Sequence, residues 1–411
     1  MTTSMQRDLN VSATAPVLVV GTGPSGLATA LALARSGVET VLAGPPPAAP
    51  RARTAALFSG SIDLLRHLGV LAACADGSAA IKAIRLIDDT GGLLRAPEAL
   101  FTAADAGLEV LGFNIPNSVL LAALETAVHA EPRIQIVTTV AVTGLETGEA
   151  QVIARLAEGG TLAARLVVAA DGRQSVCRTA AGIGTHGWSY PQTAVVALVE
   201  HTRPHRNVST ELHRRPGPLT TVPLPGLASS LVWVEDTRRA EALLALDETA
   251  FRAELDRHLK GLLGPIRATT ARAAFPLGVT TADRFAARRV MLVGEAGHVI
   301  PPIGAQGLNL GMRDVAMLAD FVGEAVAAGG DPGAGDVLAA YDTARRGDIG
   351  TRTFAVDMLN RTLISGLLPA DLLRGLGLHA LNSIGPLRRA VIRQGLHPSG
   401  TRPTLMRPHG A

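Results

Sequence analysis

Apolar positions along the chain change texture several times. Residues 16–20 form a short run rich in β-branched residues closed by Gly21, and residues 27–34 are strong helix formers that stop at Ser36 and Gly37. Residues 38–42 read as a second strand, which completes a βαβ unit with an expected right-handed crossover. The proline-rich residues 44–50 then end regular structure, and a helical pattern resumes over 59–68. From 182 to 274 the pattern turns to alternating segments at 194–200, 220–224 and 231–235, as antiparallel strands require. The βαβ texture returns with a strand at 289–293, a glycine-rich turn and a long helix over 307–326. After Gly335 nearly everything reads as helix, and no internal repeat interrupts the chain. The first lobe is therefore split in sequence by a second one.

Composition narrows the class. With 411 residues the chain exceeds what one core usually serves, so two or more lobes are expected. Hydrophobic residues at 47% against 18% charged suit a packed globular protein and exclude disorder. A net charge of +3 is too small for a nucleic-acid footprint, so no nucleic-acid partner is expected. Two cysteines, Cys74 and Cys177, build neither a disulfide framework nor a zinc site, which points to a reducing, cytoplasmic setting without a metal. The polar stretch 1–15 lacks the order of a secretory signal, and no apolar run reaches the length of a membrane span.

Three motifs carry chemistry. Gly21, Gly23 and Gly26 form a G-x-G-x-x-G between a strand and a helix. Gly21 makes the turn, Gly23 lets backbone approach a pyrophosphate, and Gly26 permits close helix packing, while the helix N-terminus faces the anion. The acid expected at the end of the second strand, for a ribose hydroxyl, is absent: Ala43 and Gly44 stand there. Arg53 lies just beyond, where it reaches the phosphates or is a solvated loop residue. The second motif is the apolar run 166–170 ending in Asp171 and Gly172, with Ser175 and Arg178 on a short helix behind; an ordinary β-turn also explains it. The third and most specific runs from Val290 to Asp314 and includes Glu295, His298, Pro302, Gly304, Gln306, Gly307, Leu308, Asn309, Gly311 and Arg313. Its glutamate can accept sugar hydroxyls, and its helix N-terminus can stabilise negative charge on a reduced ring. His298 has no second ligand at metal spacing and reads as structural.

These motifs, in this order, resemble the flavoprotein monooxygenases of the para-hydroxybenzoate hydroxylase type. The string 301–314, with Leu359, Asn360 and Arg361 and the pair Leu376 and Leu378 in the tail, is similar to the ubiquinone-biosynthesis hydroxylases. The resemblance implies an α/β (α+β) chain: a discontinuous Rossmann-type FAD-binding domain at 14–72, 104–181 and 275–350, an antiparallel-sheet substrate domain at 73–103 and 182–274, and a helical C-terminal region at 351–411. It places Gly21, Gly23 and Gly26 at the FAD pyrophosphate, Asp171 near the pyrophosphate and the pyridine nucleotide, Glu295 at the FAD sugar chain, and 306–309 beside the flavin ring with Pro302 and Gly304. It departs from the family at the missing second-strand acid and at Glu295, where aspartate is common.

The implied reaction is hydroxylation of a polyprenyl-phenol ring in ubiquinone biosynthesis, with NAD(P)H as donor, dioxygen as co-substrate and a flavin hydroperoxide as oxygen carrier. Tyr190, His201 and His213 titrate within the substrate lobe, and none is assigned as a catalytic base. A hydroxylase of soluble phenols or polyketides, or a flavin reductase of isoprenoid chains, needs the same cofactor fold; a dinucleotide-binding sensor needs only the first glycine loop. Beyond Arg361 the tail interleaves arginines, among them Arg388, Arg389 and Arg393, with leucines and has a single acid, Asp371. That pattern fits a basic amphipathic seat on the inner membrane, docking within a quinone-biosynthesis complex, or packing on the nucleotide lobe.

Overall fold

The computed structural model describes residues 15–47, 53–91, 97–364 and 402–408. Among these, eight α-helices occur: α1 (Pro24–Arg35), α2 (Ser59–His67), α3 (Asn117–Ala130), α4 (Val176–Ala180), α5 (Thr237–Ala245), α6 (Glu248–Leu259), α7 (Gln306–Ala327) and α8 (Gly335–Ile364).

The strand Ala15–Val20, buried at its last four residues, sits between Thr40–Gly44 and Thr161–Ala169, parallel to both. Burial on both faces explains the unbroken valine and leucine run, since a parallel strand has no wet side to alternate with. Val290–Leu292 adds parallel beyond Thr161–Ala169, and Ile134–Thr138 adds parallel beyond Thr40–Gly44. The returning strand thus enters the same sheet as the first. α1, α3 and α7 cover one face in a core that includes Leu27, Leu31, Leu124, Met312 and Val315. In α1 small alanines alternate with Leu27, Leu31 and Leu33, and every residue from Gly26 to Ala34 is buried.

A nine-stranded sheet forms the second unit, in which the long strand Thr185–His201 pairs antiparallel with Ala228–Asp236 and with Ala273–Ala282. This sheet runs through Ala282 and reaches His298–Val299, past residue 274. α5 and α6 cover one face through Ala240, Leu243, Phe251 and Leu255, packed on Val195, Leu231 and Trp233. The opposite face carries Ala194, Val234 and Leu277. Onto it folds a three-stranded sheet of Thr54–Phe58, Ala79–Ile81 and Gly112–Pro116. Asn114 stitches the two together, donating to the carbonyls of Val222 and Pro223 and to Ser230 Oγ.

Most of 351–411 lies outside the described residues, including Arg388, Arg389 and Arg393. The last described segment returns to the first unit: Met406 is buried in its core and Arg402 pairs with Asp63 at 2.8 Å. No helix among the described residues is long and apolar enough to cross a membrane.

Candidate active site

The three sequence motifs meet at the carboxyl ends of the parallel strands, the edge where open α/β sheets bind ligands. Gly21, at φ +113°, lies so close to the Asp-Gly turn that a Cβ there would stand 2.3 Å from the Ala170 carbonyl oxygen. A Cβ on Gly26 would stand 1.8 Å from the Gly21 carbonyl oxygen. Ser25 packs on the third motif: a Cβ on Gly294 or Gly311 would approach its Oγ to 2.6 and 3.0 Å. Gly23 is the exception, with nothing within 4 Å of its Cβ position. It is the N-cap of α1, where the N–H groups of Ser25 and Gly26 have no intrahelical partner by position. The loop is thus packed on every side except the one that faces the helix N-terminus, which leaves room for a phosphate.

Asp171 accepts the Cys177 N–H through Oδ2 at 3.1 Å, while its buried Oδ1 has no partner. Burial, with the Asp171 carboxylate beside it, pushes the Cys177 thiol far up, so it stays protonated and inert. Ser175 caps α4 by accepting the Arg178 N–H. Arg178 in turn donates to the carbonyls of Ala296 and Arg173, and Arg173 makes a two-pronged pair with Glu295 at 3.1 and 3.2 Å. Both members of that pair are half-exposed at the rim. Arg173 had no role in the sequence reading; its place directly after the Asp171-Gly172 turn is the signal that could have found it.

His298 and Asp314 are buried together, with His298 Nε2 2.7 Å from Asp314 Oδ2, which also accepts the Gly294 N–H at 2.8 Å. They shape the Glu295 turn from beneath. Asn309 spends its whole amide inside the protein: Oδ1 accepts from Phe58 N–H and Ser61 Oγ, and Nδ2 donates to the carbonyls of Ala56 and Ala305. Any contact it makes with a ligand is through its backbone. Gly304 and Ala305 are both left-handed, at φ 64° and 53°, within a 3-10 turn over Ile303–Ala305, and α7 begins at Gln306 with the N–H groups of Gly307 and Leu308 lacking an intrahelical partner by position. Pro302 lies exposed before them.

Arg53 lies over the Phe275 ring, 5.0 Å from its centroid, between the two units. Ala43 and Gly44 are buried at the end of their strand, where Thr22 packs against Gly44 and donates to the Pro45 carbonyl. Of the titratable groups in the second unit, Tyr190 donates to Asp357 on α8, His213 bonds Glu211, and His201 bonds Ser229 Oγ. Burial, then the neighbouring His205, pushes His201 down and keeps it neutral.

A dinucleotide with a flavin fits these residues. The open space before α1 has room for a pyrophosphate, the unpartnered Asp171 Oδ1 and the half-exposed Glu295 carboxylate are acceptors at the same edge, and the N-terminus of α7 is a source of N–H donors.

Comparison with known proteins agrees. The model of the FAD binding domain family matches residues 14–352. Ubiquinone hydroxylase UbiL of Rhodospirillum rubrum is 37% identical over 393 residues, 94% of this chain and 90% of that protein. The 3-demethoxyubiquinol 3-hydroxylase of Escherichia coli is 30% identical over 92% of this chain and 98% of its own length. The crystal structure of p-nitrophenol 4-monooxygenase PnpA from Pseudomonas putida superposes with a TM-score of 0.77 at 21% identity, covering 94% of this chain and 99% of that one. The chain belongs to the FAD binding domain family and is an FAD-dependent monooxygenase of the group that holds these hydroxylases.

Proposed function

We propose that this monooxygenase hydroxylates the aromatic ring of a prenylated ubiquinone precursor, using NAD(P)H and dioxygen. The observation that carries the reading is the convergence of three glycine-rich turns on one open cradle, in a chain whose full-length relatives are named as ubiquinone hydroxylases. When bound, FAD supplies the hydride and oxygen chemistry. The chain's residues bind and orient. The α1 N-terminus at Gly23 would hold the pyrophosphate, with Asp171 near it and near the pyridine nucleotide, Glu295 would accept sugar hydroxyls, and 306–309, with Pro302 and Gly304, would border the ring. The substrate ring would lie between that border and the sheet face of Ala194, Val234 and Leu277, whose apolar side chains keep water from the reacting atoms. The nine-stranded sheet is thus the substrate-binding unit, and the parallel sheet with α1 and α7 is the FAD-binding unit.

The test is product analysis with FAD-loaded protein, offered prenylated and unprenylated phenols with NAD(P)H. A ring-hydroxylated prenylated product, together with accumulation of its precursor when the gene is deleted, is expected. Turnover of unprenylated phenols alone moves the protein to soluble substrates.

The apolar substrate also supports a peripheral seat on the inner membrane through the arginine-rich tail. Replacing Arg388, Arg389 and Arg393 with glutamate should release the protein from anionic liposomes with flavin content intact, because each lost charge removes about 1 kcal/mol of attraction. Wild-type protein that fails to sediment with such liposomes at low salt refutes this.

A further inference from the structure

Ion pairs run in a chain from the turn at Gly294 to the turn at Gly304. Asp314 bonds the Gly294 N–H and His298, and pairs with Arg345 at 2.6 Å. Arg345 pairs onward with Asp348 at 2.6 Å, which also takes Arg313 at 2.8 Å and Arg352 at 3.3 Å. Arg352 Nη1 then donates to Gln306 Oε1 at 2.8 Å, and Gln306 Nε2 donates to the Gly304 carbonyl at 3.1 Å. Three guanidiniums, Arg313, Arg345 and Arg352, thus face two carboxylates, Asp314 and Asp348, so the arginines outnumber the acids by one. Arg345 is fully buried and Arg352 largely so, and a buried cation without a full counter-charge is costly. Burial pushes the Arg352 pKa down, with Asp348 only partly opposing, as expected for a charge that lacks its full complement of anions.

The missing anion has a prepared place. Ala305 is left-handed and Gln306 right-handed, at φ 53° and −75°, so the 3-10 turn Ile303–Ala305 swings into α7 and leaves the N–H groups of Gly307 and Leu308 without an intrahelical partner by position. That place is also the positive end of the 22-residue α7. An alanine held left-handed costs about 1–2 kcal/mol, so the turn needs an external clamp. The side chain of Gln306, gripped by Arg352 on one side and by the Gly304 carbonyl on the other, is that clamp.

We propose that Arg352 is a positioning residue: acting through Gln306, it locks the turn at 304–306 and lends it positive charge, so that the site stabilises negative charge on the pyrimidine edge of a bound flavin. This rests on the placement of the flavin ring beside 306–309. A neutral oxidised ring gains less from the charge than a reduced anionic one, so Arg352 raises the reduction potential.

The experiment compares wild type, Arg352→Met, Arg352→Lys, Gln306→Leu and the Arg352→Met/Gln306→Leu double variant, each loaded with FAD. Flavin content, melting temperature and the midpoint potential against a reference dye are measured. Arg352→Met should hold FAD at full stoichiometry but prefer reduced over oxidised FAD about tenfold less than wild type does. That corresponds to a two-electron potential about 30 mV more negative. Arg352→Lys should recover most of the shift. Gln306→Leu leaves the ion pairs in place and should shift the potential the same way, with the double variant moving no further than either single one. An unchanged potential in flavin-replete Arg352→Met overturns the proposal, as does a shift there with none in Gln306→Leu. If Arg352→Met does not fold, Gln306→Leu decides alone. Wild-type protein that binds no FAD refutes the flavin placement beneath the proposal instead.

Discussion

Gly23→Ser separates the fold from its ligand. Gly23 caps α1 at φ −71° and ψ 177°, an extended conformation open to any residue, and its Cβ position is free of neighbours to 4 Å. Serine is a preferred N-cap and outranks glycine there by a few tenths of a kcal/mol, so the apoprotein should be as stable as wild type or slightly more so. The hydroxymethyl group would nevertheless stand in the space left for the pyrophosphate, and its oxygen would accept an N–H that the phosphate needs. Each charge-assisted bond lost costs about 1.5–3 kcal/mol, so FAD affinity should fall roughly ten- to a hundredfold per bond. Gly26→Ala makes the opposite error. Its Cβ would overlap the Gly21 carbonyl at 1.8 Å, and Gly21 cannot retreat because it is itself wedged against Ala170. Overpacking of this kind costs about 1–3 kcal/mol in the apoprotein. Urea denaturation of the apoproteins and fluorescence titration with FAD read the two effects, and the melting difference with and without FAD should shrink in Gly23→Ser. Wild-type FAD affinity in Gly23→Ser would show that the pyrophosphate does not lie at the α1 N-terminus.

Asp314→Asn removes one of the two carboxylates paired with buried Arg345, leaving Asp348, and should cost about 3 kcal/mol in unfolding free energy, the low end for breaking a buried pair; a loss below about 1 kcal/mol would mean that the pair is not buried as described. Glu295→Ala should weaken FAD binding by about 1.5–3 kcal/mol but barely alter apoprotein stability, because its half-exposed pair with Arg173 contributes little; equal affinity by titration would place Glu295 away from the sugar chain. Burial pushes the Asp348 carboxyl up, but Arg345, Arg313 and Arg352 outweigh it and hold it below the usual range. Its folded value lies below its unfolded one, so the stability it contributes is complete above the unfolded carboxylate pKa, about 4, and is lost as pH falls through the folded value. Acid unfolding of Asp348→Asn should therefore be shallower than that of wild type, and superimposable curves would refute this.

The elements legible in the sequence were those whose geometry tolerates few residue types. Gly21 and Gly26 touch backbone, α1 needs alanines to lie flat on its sheet, and the string 301–314 must turn twice in left-handed conformation; each left a mark in the chain. Ser59–His67, Gln306–Ala327 and the first strand fall within a residue or two of the expected bounds. α5 and α6 were absorbed into a strand-rich reading. Their signals were present, since Asp236 and Asp247 cap them and Phe251, Leu255 and Leu259 recur at helical spacing, but strands on both sides dominated the texture. Thr54–Phe58 was not foreseen either, because its partner strand comes from 112–116, more than fifty residues on. Of the ion-pair chain from Asp314 to Arg352, the Arg345–Asp348 and Asp348–Arg352 pairs stand at i,i+3 and i,i+4 spacing within α8 and carry a local signal, but the pairs of Asp314 with Arg345 and of Arg313 with Asp348 are set by how α7 packs on α8, and no local pattern encodes that.

The placement of Val290–Leu292 has a consequence for synthesis. That strand covers residues 167–169 of the parallel sheet, yet six strands of the nine-stranded sheet, from Thr185–His201 to Ala273–Ala282, must leave the ribosome between the two. Asn309 likewise reaches back 251 positions to Phe58. At about 5–20 residues per second, the edge of Thr161–Ala169 waits on the order of ten seconds for its partner. A bare parallel edge is a template for pairing with other chains, and contacts of such long separation form slowly. The FAD-binding half therefore cannot be expressed by cutting the chain after 181, and a nascent chain stalled before 290 should be an aggregation-prone client of chaperones.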